Sequence, residues 1–191
     1  MTDEQKTLLV FVLAAAGVGL AILAGQSSTV QSGVAKVIQM GQAWWQNSAN
    51  AQKWAPVILA AEKQYGIPVG LLARQAYEES GYRTSVINGT QPSSAGALGI
   101  LQLMPQYFTS VQVPIPFSDG AVEGQIAQAA GYMRQLYNQF GNWGYALAAY
   151  NAGPGTVNNV LNGTQPLPLQ TKNYVSQILA DVPVAGASIP A

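Results

Sequence analysis

The chain contains neither cysteine nor histidine. Without cysteine there is no disulfide, no thiol nucleophile and no thiolate metal site. Without histidine there is no Ser-His-Asp triad, no Cys-His pair and no His-ligated zinc. Any proton chemistry therefore falls to carboxylates, Lys or Tyr. Charge is scarce as well: only 8% of the 191 residues are charged, against roughly 25% in an average soluble domain. The eight basic residues are scattered from Lys6 to Lys172. No phosphate-tracking patch forms from them, and nucleic acid is not expected as a partner. The carboxylates are Asp3, Glu4, Glu62, Glu78, Glu79, Asp119, Glu123 and Asp181. With so few ligands, neither a metal nor another cofactor is expected.

Apolar residues, at 49%, are plentiful and unevenly placed. Residues Thr7 to Gly25 (TLLVFVLAAAGVGLAILAG) carry no charge. At 1.5 Å per residue such a run, wound as a helix, approaches the ~30 Å hydrocarbon thickness of a bilayer. Residues 1–25 are expected to form a transmembrane anchor. Two other readings compete, a cleaved signal peptide and a buried core helix. The first lacks its basic n-region, since the chain starts Met-Thr-Asp-Glu-Gln-Lys. The second would not require a run apolar all round. Orientation is poorly specified, because only Lys6 and Lys36 flank the run. Residues 26–49 read as a polar linker followed by an amphipathic helix. Its stripe is Val30, Val34, Val37, Ile38, Gly41, Trp44 and Trp45. That helix either packs on or links to the domain, or lies at a membrane interface.

Residues 50–181 have a globular, mainly α texture with no convincing strand. Helices are expected at Ala51 to Gln64, where Pro56 would be tolerated only in the first turn, and from Pro68 to Ser80. Further helices are expected at Leu98 to Ser110, Glu123 to Phe140, Gly144 to Asn151 and Thr171 to Ala180. Gly81 to Ala97 reads as a loop, and Gly153-Pro154-Gly155 as a stop. The pentapeptide NGTQP occurs at Asn88 and again at Asn162 and reads as a turn in both places. Residues 182–191 (VPVAGASIPA) read as a loose C-terminal tail.

One helix ends in Tyr77-Glu78-Glu79-Ser80-Gly81. Two adjacent carboxylates at a helix C-terminus repel each other and oppose the macrodipole. Solvated carboxylates are common, so taken alone the pair is weak evidence for catalysis. A Gly/Ser loop and an apolar segment bearing Gln102 follow, which would put an acid at the rim of a cleft. The residues that carry a resemblance are four segments in order. They are Glu79-Ser80, Ser94-Ala95-Gly96-Ala97-Leu98-Gly99-Ile100-Leu101-Gln102-Leu103-Met104-Pro105, Ala149-Tyr150-Asn151-Ala152-Gly153-Pro154-Gly155, and Leu167 to Val175 (LPLQTKNYV). Together they resemble the soluble lytic transglycosylases, which have the goose-type lysozyme fold. The likeness spans about Asn50 to Leu179. It departs at Gln170, where the family usually has Glu.

The resemblance implies a lysozyme-like domain acting on peptidoglycan glycan strands. It implies Glu79 as the catalytic acid/base, with Ser80, Gln102, Tyr150, Asn151 and Tyr174 in the substrate site. A conventional glycosidase needs two carboxylates across the bond. Glu78 is a poor second, because adjacent helical residues point ~100° apart. Asp119 and Glu123 lie outside every motif. A single acid suggests substrate assistance by the N-acetyl group and closure of a 1,6-anhydro ring on muramic acid. To hold a proton near neutrality, Glu79 needs burial beside Tyr77, Met104 or Tyr150 and like charge from Glu78. A hydrolytic muramidase and a non-catalytic glycan-gripping protein are the competing readings. The anchor would place the catalytic domain on a membrane facing the wall, in a phage virion or at a bacterial inner membrane. Virion or envelope-complex proteins are the partners such a placement implies.

Overall fold

The computed structural model describes residues 48–190. The anchor of residues 1–25 and nearly all of the linker and amphipathic helix of residues 26–49 lie outside them. Among the described residues no helix is long and apolar enough to cross a membrane.

Helix α1 (Ala49–Tyr65) starts at Ser48, whose side chain accepts from the Ala51 N–H. It begins two residues earlier than its apolar pattern indicates, and Pro56 lies inside the helix, beyond the first turn. Helix α2 (Leu71–Ser80) follows. Its start at Leu71, not Pro68, is set by Gly70, which takes φ +86° at the N-cap. Helix α3 (Thr84–Ile87) is a single turn. Where a helix was expected from Leu98 to Ser110, the backbone instead closes a tight reversal. Leu98 and Leu103 exchange two antiparallel hydrogen bonds of 2.9 and 2.8 Å, and a 3-10 turn follows at Thr109–Val111. The reversal needs left-handed backbone at Gly99 (φ +81°) and Gln102 (φ +48°). Helix α4 (Asp119–Phe140) is the long central rod, and α5 (Trp143–Ala152) packs along it. Gly153-Pro154-Gly155 does not stop the chain's helicity. Pro154 occupies the first position of α6 (Pro154–Leu161), where its missing N–H costs nothing. Helix α7 (Leu169–Asp181) packs on α5 and α2. Asn88 and Asn162, which open the two NGTQP copies, each cap a short helix, α3 and α6.

The core is one cluster, with Ile58, Leu71, Leu72, Ile100, Leu101, Ile126, Met133, Leu147, Val175 and Ile178 at or near zero exposure. The tail is docked and not loose. Val182 is buried, and Val184, Ala187 and Ile189 pack against the core. The Asn142 amide donates to the Gly186 carbonyl at 2.9 Å and to Ser188 Oγ at 3.1 Å.

Glu62, on α1, is fully buried beneath the start of α2. Its carboxyl accepts the backbone N–H groups of Gly70, Leu72 and Ala73 at 2.6, 2.8 and 3.1 Å. Glycine at the N-cap offers no side-chain acceptor, so Glu62 satisfies donors that helix geometry leaves orphaned. Burial pushes its carboxyl up to about 8, against the pull of the three N–H groups. Glu62→Ala should leave three buried donors unmade and cost at least about 3 kcal/mol, at 1–3 kcal/mol for each unpaired group. Urea unfolding measures that loss. The folded carboxyl titrates above its unfolded value of 4.5. Its contribution is therefore whole below 4.5 and is lost as pH rises through 8. The melting temperature should be higher at pH 5 than at pH 8, and Glu62→Gln should flatten that slope.

Candidate active site

Helix α2 ends at Gly81, in left-handed backbone at φ +56°, whose N–H bonds the Tyr77 carbonyl at 2.7 Å. This cap leaves Glu78 and Glu79 in the last turn, beside α7. The Tyr174 hydroxyl, on α7, donates to Glu79 Oε1 at 2.7 Å. One turn earlier on α7, the buried Thr171 hydroxyl donates to Asn151 Oδ1 at 2.8 Å and fixes that amide at the end of α5. The neighbouring Tyr150 hydroxyl donates to the Leu101 carbonyl at 2.7 Å, which ties α5 to the 98–103 reversal. The reversal is itself held close to α4: a Cβ on Gly99 would fall 2.0 Å from Gln125 Oε1. Segments far apart in the chain thus converge on one carboxyl.

A cleft of about 550 Å³ opens there, lined by Glu78, Glu79, Asn151, Leu169, Gln170, Asn173, Tyr174 and Gln177. The structure therefore brings Glu79, Asn151 and Tyr174 together. Tyr150 does not line the cleft but lies close enough for the Glu79 charge to act on its hydroxyl. Gln102 is not at this cleft; its amide folds back to donate to the Gly99 carbonyl at 3.0 Å. Ser80 has no access to a ligand. It is fully buried, its hydroxyl donates to the Ala76 carbonyl at 2.7 Å, and it accepts the Tyr82 N–H at 3.1 Å. Assigning Ser80 to substrate contact is thereby corrected: it shapes the helix end that presents Glu79.

Sequence reading missed the α7 wall. Leu169 is 72% exposed, and Gln170, Asn173 and Gln177 are exposed beside it. The signal was present, since positions 170, 173/174 and 177 fall on one helical face. Such a wall of amides and one apolar side chain suits a neutral, hydroxyl- and amide-rich ligand better than an ionic one.

Electrostatics set the carboxyl apart. Burial pushes Glu79 up to about 7, the Tyr174 hydrogen bond pulls it down, and the charge of Glu78 pushes it up. Burial and the Glu79 charge hold the Tyr150 and Tyr174 hydroxyls well above their ordinary value, so both stay neutral. The other described carboxylates are occupied or remote. Glu62 lies under α2, Asp119 pairs with Lys53 at 2.7 Å, and Asp181 pairs with Arg74 at 2.6 Å. Glu123 is exposed on α4. Among the described residues no group of three Asp or Glu side chains gathers as a metal site requires.

A family model described as the transglycosylase SLT domain matches residues 56–171. The chain is 30% identical over 143 residues to a putative tributyltin chloride resistance protein of Alteromonas sp., covering 71% of this chain and 66% of that one. It is 31% identical over 115 residues to the soluble lytic murein transglycosylase of Salmonella typhimurium, covering 50% of this chain and 18% of the relative. The Escherichia coli K12 protein of the same name is 31% identical over 133 residues, covering 60% of this chain and 20% of its own length. The matched region thus spans just under two thirds of the first relative and about a fifth of the two murein transglycosylases.

Proposed function

Because this chain belongs to the transglycosylase SLT domain family, with its lysozyme-like, mainly helical domain, we propose that it is a peptidoglycan lytic transglycosylase in which Glu79 is the single acid/base. The observation that carries this reading is one partly exposed carboxyl, pushed up to about 7, in a cleft that offers no free second carboxylate. At neutral pH a group so tuned spends comparable time as acid and as base.

Glu79 protonates the glycosidic oxygen between N-acetylmuramic acid and N-acetylglucosamine, and that β-1,4 bond breaks. The N-acetyl oxygen of muramic acid supports the positive charge that develops at the anomeric carbon. Glu79, now a carboxylate held by the Tyr174 hydroxyl, takes the proton from the sugar's C6 hydroxyl. The C6 oxygen bonds to the anomeric carbon, the 1,6-anhydro ring closes, and the acid is regenerated without water. Asn151 and the α7 amides bind the sugar's neutral polar groups. The full chain should release soluble fragments from purified, insoluble peptidoglycan. Binding to the glycan without release would favour a non-catalytic gripping role.

The run from Thr7 to Gly25 supports a membrane-anchored placement of the domain, facing the wall, for local penetration by a virion or an envelope complex. The full chain should stay with membranes through carbonate extraction. A form lacking residues 1–26 should be soluble and active, since every motif lies beyond Asn50. A native N-terminus near Gln26 on a soluble protein would identify the run as a signal peptide instead.

A further inference from the structure

Glu78 shares the cleft wall with Glu79, yet a second carboxylate this close is a hazard to a single-acid site. If Glu78 were unpaired, its charge would hold Glu79 protonated and block the base step; if it were absent, the acid step would weaken. The structure gives Glu78 a dedicated partner. Arg74, one turn back on α2, is 5% exposed. Its Nη1 meets Glu78 Oε1 at 2.5 Å, and its Nε meets Asp181 Oδ2 on α7 at 2.6 Å. Its guanidinium also lies 5.1 Å from the Tyr77 ring. A buried, planar fork that serves two carboxylates on two helices is a rigid device; a lysine would present one compact ammonium on a flexible stem in its place. The groups facing Glu79 are Glu78 on its own helix, Tyr174 on α7 and Tyr150 on α5. Behind Glu78 stand Arg74, then Asp181 and the buried Tyr82.

We propose that Arg74 is a positioning residue for the acid: by drawing Glu78 back along α2 and tying it through Asp181 to α7, it fixes how much negative charge Glu79 feels. This rests on Glu79 being the acid/base of the proposed function. Arg74 touches no substrate and acts only through Glu78.

The test is NMR titration of the glutamate carboxyl carbons in the full chain, run beside pH–activity profiles on peptidoglycan. Glu78→Gln removes the like charge, so Glu79 should titrate lower, by roughly one unit, within the range a neighbouring charge produces. The alkaline limb of the profile should move down with it. Arg74→Met exposes Glu79 to an unneutralised Glu78, so both should move up. If Arg74 acts through Glu78, the double variant Arg74→Met/Glu78→Gln should titrate like Glu78→Gln alone; a further upward shift in the double variant would mean that Arg74 acts on Glu79 directly. Should Arg74→Met fail to fold, Arg74→Lys keeps the charge but frees one carboxylate, and a smaller upward shift is expected. An unchanged Glu79 titration in folded Glu78→Gln, or in folded Arg74→Met, overturns the proposal. The titration reads the acid whether or not peptidoglycan is cleaved. Shifts without cleavage would sink the function and spare the device; cleavage without shifts would do the reverse.

Discussion

Glu79→Gln should lower peptidoglycan cleavage by about 10²–10⁴-fold, the usual contribution of a positioned proton donor or acceptor. The amide keeps the shape and can still accept the Tyr174 hydroxyl bond seen at 2.7 Å, but it can neither give nor recover a proton. The fold should survive, and circular dichroism should not change. A stability signature should accompany the loss. The folded carboxyl titrates near 7 against 4.5 for the unfolded group. Its favourable share of stability is whole below 4.5 and fades as pH rises through 7. Glu79→Gln removes that penalty, so the variant should melt higher than the wild type at pH 8 and close to it at pH 4. Glu78→Gln should cost under tenfold at its own pH optimum. Equal losses from the two substitutions would show that the acid has been misassigned.

Tyr174→Phe should carry the second-largest effect, about 10–100-fold in kcat. Its hydroxyl holds Oε1 of the acid from the opposite helix, and a hydrogen bond to a charged group is worth roughly 1.5–3 kcal/mol. The bond favours the carboxylate, so losing it raises Glu79 further. The alkaline limb should move up while the rate falls, because the base step loses both orientation and charge stabilisation. KM should change less than kcat, since the hydroxyl is committed to Glu79. A fall confined to KM, with the limb in place, would make Tyr174 a sugar contact and not a partner of the acid.

Much of the site was legible in the four motif segments and the family they resemble, while residue chemistry alone only narrowed the choice. With no histidine or cysteine, proton transfer fell to carboxylates, Lys or Tyr, and the helix end at Glu79 stood out electrostatically. Asn151 and Tyr174 meet it in the cleft. What stayed hidden depends on contacts remote in the chain or on backbone that side-chain pattern does not encode. Arg74 and Asp181 are 107 positions apart, and no periodicity joins them. Gln102 sits in left-handed backbone at φ +48°, a state its residue type does not advertise, so a reversal read as a helix. Gly153-Pro154-Gly155 serves equally as a stop and as a start, and Pro154 at the first position of α6 decides for the start. The tail looked loose because its anchors, Asn142 and the core behind Val182, lie outside it.

The central claim is that one glutamate cleaves the glycan and closes a ring without water. Digesting purified peptidoglycan with the full chain in heavy-oxygen water, and weighing the fragment ends by mass spectrometry, tests it most directly. The expected products end in 1,6-anhydro-muramic acid, lighter than reducing ends by one water and carrying no heavy oxygen. Reducing ends that have taken up heavy oxygen would contradict the account and make this cleft a hydrolase.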